Sequence, residues 1–204
     1  RTHLLAEAEK RYEESLPLYR VIEDRLSEAD TLSSLGDLYV LTDRLAEAEK
    51  RYEEALALFR EIKFHLGEAN TLLSMSMLRA AQNRPEEAVV NLQTARFLYS
   101  AIDEKIGQIN CSLVLSDLHR EKDRPSEALR EAFTALLVGS AVEASDPKLA
   151  LARLGYLREK IGQENLDSIA KPVIETFPAD AQRFLTEALE KVRAAFEEKP
   201  DPDA

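Results

Sequence analysis

Apolar side chains recur every three or four residues along most of the chain, the spacing that gathers them on one face of an α-helix. Leu32, Leu35, Leu38 and Tyr39 mark one such face, and Ala48, Tyr52, Ala55, Leu56 and Phe59 mark the next. Asp43-Arg44 separates the two, and Asn83-Arg84-Pro85 and Asp123-Arg124-Pro125 occupy the corresponding later positions. An Asx residue shortly before a proline, with acids following in the first turn, predicts a helix start. Small residues at 8, 48, 88 and 128, and at 15, 55, 95 and 135, predict that paired helices approach closely. Tyr12, Tyr52 and Leu92 then fill the space between them. The segments near Gly67 and Gly107 are expected to close each pair and turn into the next.

The pairs are copies of one another. Leu5 through Glu14 recurs unchanged as Leu45 through Glu54. Position by position, residues 5–44 and 45–84 agree at 22 of 40 sites, and 45–84 and 85–124 at 11 of 40. The second set of matches falls where a core needs it: Ala48 with Ala88, Ala55 with Ala95, Leu58 with Leu98, Leu73 with Leu113. A looser copy starts at Pro125. A forty-residue internal period is the mark of stacked supersecondary units, none of which can bury its apolar face alone.

Leu32, Leu35-Gly36, Tyr39, Ala48, Tyr52 and Ala55 resemble the tetratricopeptide pattern of a large residue, Leu-Gly, an aromatic, then Ala, aromatic and Ala. The next two units keep the pattern in part: Met75-Ser76 and Leu115-Ser116 replace Leu-Gly, and Arg79 and His119 replace the tyrosine. Residues 149–158 keep Leu154-Gly155. The period exceeds the thirty-four residues usual for the family. Long units ending on Gly67-Glu68-Ala69-Asn70 are similar to the long-repeat subtype found in LGN, kinesin light chain and MalT-like arrays. The resemblance covers roughly residues 5–160. It implies an all-α fold, a right-handed superhelical solenoid of antiparallel helix pairs.

The expected organisation is a half repeat at 1–24, repeats at 25–64, 65–104 and 105–142, and a degenerate one at 146–177. Arg1–Leu4 align with the turn Leu41–Arg44, so a further repeat is expected upstream. The uncovered face of helix 5–23 is expected to invite self-association. Glu143 to Pro147 predicts a helix start, and Pro172 is expected to kink or end the helix within 164–177. Ala181, Phe184, Leu185, Ala188, Leu189, Val192, Ala195 and Phe196 form one apolar stripe opposite Glu187, Glu190, Lys191 and Arg193. That amphipathic segment, 179–198, predicts a C-terminal helix capping the array, with docking into a partner's groove as the alternative. Residues 199–204 read as a solvated tail.

Composition narrows the function. Six glycines and eight prolines in 204 residues suit an all-helical chain, and no stretch of roughly 18 apolar residues predicts a membrane span. Net charge is −11 with both signs interspersed. That argues against nucleic-acid phosphates or anionic lipid as partners and favours neutral to basic ones. The single cysteine, Cys111, excludes an intramolecular disulfide and suits a cytoplasmic location. His3, His65 and His119 are scattered, and no phosphate loop, metal-ligand spacing or nucleophile elbow is present. Neither catalysis nor a cofactor is expected.

The family resemblance implies that the first helix of each unit lines a concave groove where peptides lie. The matching positions here are Asp30, Asn70 and Asn110; Ser33, Leu73 and Leu113; and Asp37, Met77 and Asp117. The asparagines can both donate to and accept from a peptide backbone. Leu73, Met77 and Leu113 would add apolar contacts, and Asp30, Asp37, Asp117 and Glu121 would prefer Lys or Arg on the ligand. Two alternatives stand beside these roles: the asparagines cap helices after Gly67 and Gly107, and the leucines belong to the core. The column lacks Lys and Arg, so no clamp for acidic C-termini is expected. The reading is a non-catalytic protein–protein interaction module of a larger signalling or scaffold protein. Its alternative is a structural, oligomerising or autoinhibitory segment of a multidomain sensor such as a signal-transduction ATPase.

Overall fold

The computed structural model describes residues 2–141, 154–155 and 163–197. Among these, helices α1 (Thr2–Val21), α2 (Arg25–Leu41), α3 (Leu45–Glu61), α4 (His65–Ala81), α5 (Pro85–Ala101), α6 (Lys105–Glu121), α7 (Pro125–Ser140), α8 (Gln163–Ile174) and α9 (Ala179–Glu197) are defined and no strand occurs. The fold class is therefore all-α, with adjacent helices packed as repeated pairs. Two compact units divide the chain, Arg1–Gly107 and Gln108–Ala204, so α6 begins in the first and runs through the second.

The turns between helices are the most regular feature of the backbone. Glu23, Asp43, Lys63, Asn83, Asp103 and Asp123, spaced twenty residues apart, each hold a positive φ between 54° and 60°. At each turn the next residue's N–H bonds back to the fifth residue before it, as in Arg44 N to Tyr39 O at 2.8 Å and Arg84 N to Arg79 O at 2.8 Å. The left-handed residue itself bonds three residues back, as in Asp43 N to Val40 O at 3.1 Å. This pair of bonds satisfies the last carbonyls of the departing helix and is the Schellman closure. The helix starts expected at Asp43-Arg44, Asn83-Arg84-Pro85 and Asp123-Arg124-Pro125 stand, and the backbone shows which residues make them. Asp43, Asn83 and Asp123 do not cap the following helix, because they occupy the left-handed position that ends the preceding one. Arg44, Arg84 and Arg124 hold the N-cap positions instead and make no side-chain cap. Pro85 and Pro125 do open their helices, where a missing N–H leaves no bond unmade. Asp24 is a true N-cap, accepting from Ser27 N at 3.0 Å and Ser27 Oγ at 2.7 Å.

Gly67 and Gly107 likewise lie inside the first turn of α4 and α6 rather than in a connection. A Cβ on Gly67 would overlap the Phe59 ring, and one on Gly107 would lie 2.5 Å from Tyr99. Gly36, midway along α2, gives the same passage to the Tyr52 ring. These glycines exist for close approach between helices.

In the first unit, Leu32, Leu35 and Tyr39 of α2 and Ala48, Tyr52, Ala55 and Phe59 of α3 are fully buried. Ala69, Leu72, Met75 and Leu78 of α4 meet Ala88, Leu92, Ala95 and Tyr99 of α5 in the same manner. Each large apolar side chain so buried stabilises the fold by about 1.5–3 kcal/mol. On α1 the corresponding residues Ala8, Tyr12, Ser15 and Tyr19 are only half-buried. The difference has a plain cause: α3 packs against both α2 and α4, whereas α1 packs against α2. Ion pairs repeat with the fold. Arg44 reaches Glu9 at 2.5 Å and Glu47 at 2.5 Å, and one period later Arg84 reaches Glu49 at 2.8 Å and Glu87 at 2.6 Å.

In the second unit, Leu129, Phe133 and Leu136 of α7 share a core with Leu166, Ala170 and Val173 of α8 and Leu185, Ala188, Leu189 and Val192 of α9. Leu185, Ala188, Leu189 and Val192 of the α9 stripe are thus buried against their own chain, while Ala181 is half-buried and Phe184 stays exposed. Arg193 fixes it to α8 through Asp167 at 2.6 Å. Pro172 lies in the last turn of α8, which ends two residues later, and Leu154 is fully buried in the same core. The Glu143–Pro147 start signal, Leu151 and the tail 199–204 lie outside the described residues.

Candidate functional site

On α2, Asp30, Ser33 and Asp37 are three and four residues apart, so one face of the helix carries all three. Asn70, Leu73 and Met77 repeat that spacing on α4, and α2 and α4 pack directly on each other. Ser33 Oγ lies 3.1 Å from Thr71 Oγ1, and Thr71 donates in turn to Gly67 O at 2.9 Å. Ser33 is therefore half-buried and committed to joining the helices. Asp30, Asp37, Asn70 and Met77 are exposed, Met77 at 52%, while Leu73 is half-buried.

Hydroxyls arriving from the opposite helix layer organise two of these residues. The Tyr52 ring crosses Gly36, and its hydroxyl donates to Asp37 Oδ1 at 2.6 Å. Burial pushes the Tyr52 pKa far up, and the hydrogen bond to Asp37 and its negative charge push it further. The phenol stays protonated and keeps donating. Tyr99, crossing Gly107, donates to Asn70 Oδ1 at 2.6 Å. Asn70 lies in the second turn of α4, whose N-cap position is Phe64, so it caps nothing. Asp30 occupies the place equivalent to Asn70, but Phe59 stands where Tyr99 would and has no hydroxyl to offer. Desolvation, with a lesser contribution from Asp24, raises the Asp30 pKa above its ordinary 3.8.

At the same repeat positions of α6, Asn110 is exposed and Asp117 is half-buried, 3.2 Å from Arg120. Leu113 is only 4% exposed and belongs to the second unit's core, so it presents almost no surface to a ligand. Of the expected column, then, α2 and α4 bring Asp30, Asp37, Asn70 and Met77 together on a common exposed layer, with Leu73 partly covered. Of the tyrosines that orient two of them, the sequence reads Tyr52 as filling between helices and does not single out Tyr99. Their signal was an aromatic on one helix set against a glycine on the next.

Behind this face, α3, α4 and α5 leave a cavity of about 310 Å³ lined by Glu53, Leu56, Arg60, Leu72, Met75, Arg79 and Asn91. Arg79 Nη1 donates to Asn91 Oδ1 at 3.2 Å and lies 3.7 Å from Glu87, and Arg79 Nε faces Glu49 at 3.6 Å, an ion pair too long for a hydrogen bond, while Asn91 Nδ2 is buried without an acceptor. One period earlier Tyr39 fills the Arg79 position, and its hydroxyl donates to Glu13 at 3.3 Å. Cys111 is fully buried, as expected for a small core residue. Among the described residues no cluster of three His, Cys, Asp or Glu could hold a metal, and no helix is long and apolar enough to cross a membrane.

Comparison with known proteins agrees with the helical-repeat fold. A family model described as "Tetratricopeptide repeat" matches residues 1–61 and 42–101. No curated protein matches the sequence. Among solved structures, the crystal structure of BtubC (BKLC) from P. vanneervenii is similar, with a TM-score of 0.68 at 18% identity over 97% of this chain and 77% of that one. At that identity the likeness is one of fold, a helical repeat.

Proposed function

The chain is a member of the tetratricopeptide repeat family through residues 1–101, and from that premise we propose that the exposed α2–α4 face binds a polypeptide without catalysing a reaction. What supports the reading is the exposure of Asp30, Asp37, Asn70 and Met77 on two helices that pack on each other, with Asp37 and Asn70 hydrogen-bonded from behind by tyrosines. Asn70 offers N–H donors to a peptide backbone whatever its sequence. Met77 supplies a flexible apolar contact, and Asp30 and Asp37 favour a lysine or arginine nearby. With a net charge of −11, the ligand is a neutral to basic segment. The role fits an interaction module of a larger scaffold or signalling protein in the cytoplasm.

The test is selection of twelve-residue peptides from a random library, followed by dissociation constants for the selected sequences. Asp37→Ala with Asn70→Ala is expected to weaken them about tenfold or more, the loss of two hydrogen bonds, one of them charged. The raised Asp30 pKa adds a pH signature. Attraction for basic peptides declines as pH falls through a value above the ordinary 3.8, where the carboxylate takes up its proton. Equal affinity in the double variant sinks the proposal. A second reading, self-association or docking onto a neighbouring segment through α1, is favoured by the half-buried stripe Ala8, Tyr12, Ser15 and Tyr19. Light scattering that shows a monomer at every concentration removes the self-associating form of it.

A further inference from the structure

We infer that Tyr99 is a positioning residue that makes Asn70 a one-way hydrogen-bond donor, so that the α2–α4 face recognises carbonyl oxygens of its peptide rather than N–H groups. The inference rests on the peptide-binding reading above and assigns its polarity. An asparagine amide is ambiguous by nature: its oxygen accepts, its nitrogen donates, and a free rotor offers either. Here Tyr99 is 1% exposed, its ring wedged against Gly107 where no Cβ could stand, so the hydroxyl has little freedom of position. Its bond to Asn70 Oδ1 at 2.6 Å takes up the carbonyl end. The exposed amide of Asn70 then turns its Nδ2 donors away from Tyr99, toward a ligand. A peptide carbonyl is the acceptor that every residue of an extended chain provides.

The preceding repeat supplies an internal contrast. Phe59 replaces Tyr99, and Asp30, an acceptor when ionised, replaces Asn70. In these two repeats the hydroxyl and the amide occur together and are missing together, whereas Asn110 keeps the amide where Gly139 offers no hydroxyl. Across the layer, Tyr52 performs the matching task on Asp37, occupying one carboxylate oxygen and leaving the other as an acceptor for a ligand cation or N–H. Donor on α4 and acceptor on α2 together give the bound chain a direction.

Tyr99→Phe is a clean probe, because Phe59 shows that the fold accepts a phenyl ring at this repeat position against Gly67. The peptides selected on the unaltered protein serve as ligands, each also made as a series in which one backbone amide at a time becomes an ester. An ester carbonyl is the poorer acceptor. The unaltered protein should lose about three- to tenfold affinity at one ester position, the worth of one hydrogen bond. In Tyr99→Phe the parent peptide should weaken by a similar factor and the sensitivity at that position should vanish, since the amide is free to turn over. A purely structural role for Tyr99 would lower affinity for every ester alike. That outcome overturns the inference, as does an unchanged ester profile in Tyr99→Phe, while leaving the binding face intact. If Asp37→Ala with Asn70→Ala does not weaken the selected peptides, the binding reading itself fails and the inference falls with it.

Discussion

Lys63 holds φ at 56° in the turn between α3 and α4. Its neighbours in the series are mostly Asp and Asn, which tolerate the left-handed region because their short polar side chains bond locally. A lysine or glutamate there bears the steric cost in full. Lys63→Gly should therefore stabilise the protein by about 1 kcal/mol, less some unfolded-state entropy. Chemical denaturation measures it, and a destabilised Lys63→Gly would show that the Lys63 side chain makes a contact worth more than the strain. The same residue-scale logic explains why the left-handed closure of these turns is not legible in the sequence, although Asp43, Asn83 and Asp123 mark breaks between helices there. Left-handed helix ends are usually announced by glycine. In this chain the glycines of the repeat are spent on ring passages at 36, 67 and 107, and the turns fall to Glu, Asp, Lys and Asn.

Between elements, the repeat acts as its own control. Where Tyr39 joins α2 to α1 through Glu13, Arg79 joins α4 to α5 through Asn91, with Nε at a long 3.6 Å from Glu49 and Asn91 Nδ2 buried without an acceptor. Restoring the earlier pattern with Arg79→Tyr and Asn91→Arg places a hydroxyl opposite Glu53 and lets the new arginine reach solvent. Removing the weakly paired Nε and the unsatisfied Nδ2, at the loss of the long contacts to Glu49 and Glu87, should raise stability by about 1 kcal/mol, read from the thermal midpoint. A lower midpoint would mean that ordered water in the 310 Å³ cavity already satisfies them. The helix pairs were legible from spacing alone, since Leu32, Leu35, Ala48, Tyr52 and Ala55 are buried where their periodicity places them. The substitution of tyrosine by Arg79 was equally visible. What it does was not, because the partners of a guanidinium depend on three helices at once. The bonds from Tyr52 to Asp37 and Tyr99 to Asn70 escaped notice for a related reason. A tyrosine in an apolar stripe reads as filler until a glycine opposite it lets the hydroxyl through.

For the molecule as a whole, the acidic surface, the absence of any metal-binding cluster among the described residues and the exposed α2–α4 layer lead to one central claim. That claim is the proposal that the exposed residues of α2 and α4 bind a peptide, while α9 packs core residues within the second unit. That division of labour matters: the most amphipathic helix, which could have served as a docking element, has its stripe committed to the core through Leu185, Ala188, Leu189 and Val192. The proposed ligand contact is therefore left to α2 and α4, where Asp37 and Asn70 are hydrogen-bonded from behind by Tyr52 and Tyr99. Chemical-shift mapping of the full chain with a library-selected peptide tests this most directly. The largest changes should fall on Asp30, Asp37, Asn70 and Met77, with the outer faces of α3 and α5 unaffected. Changes centred on Val90 and Phe97 of α5, or on the half-buried stripe of α1, would contradict it.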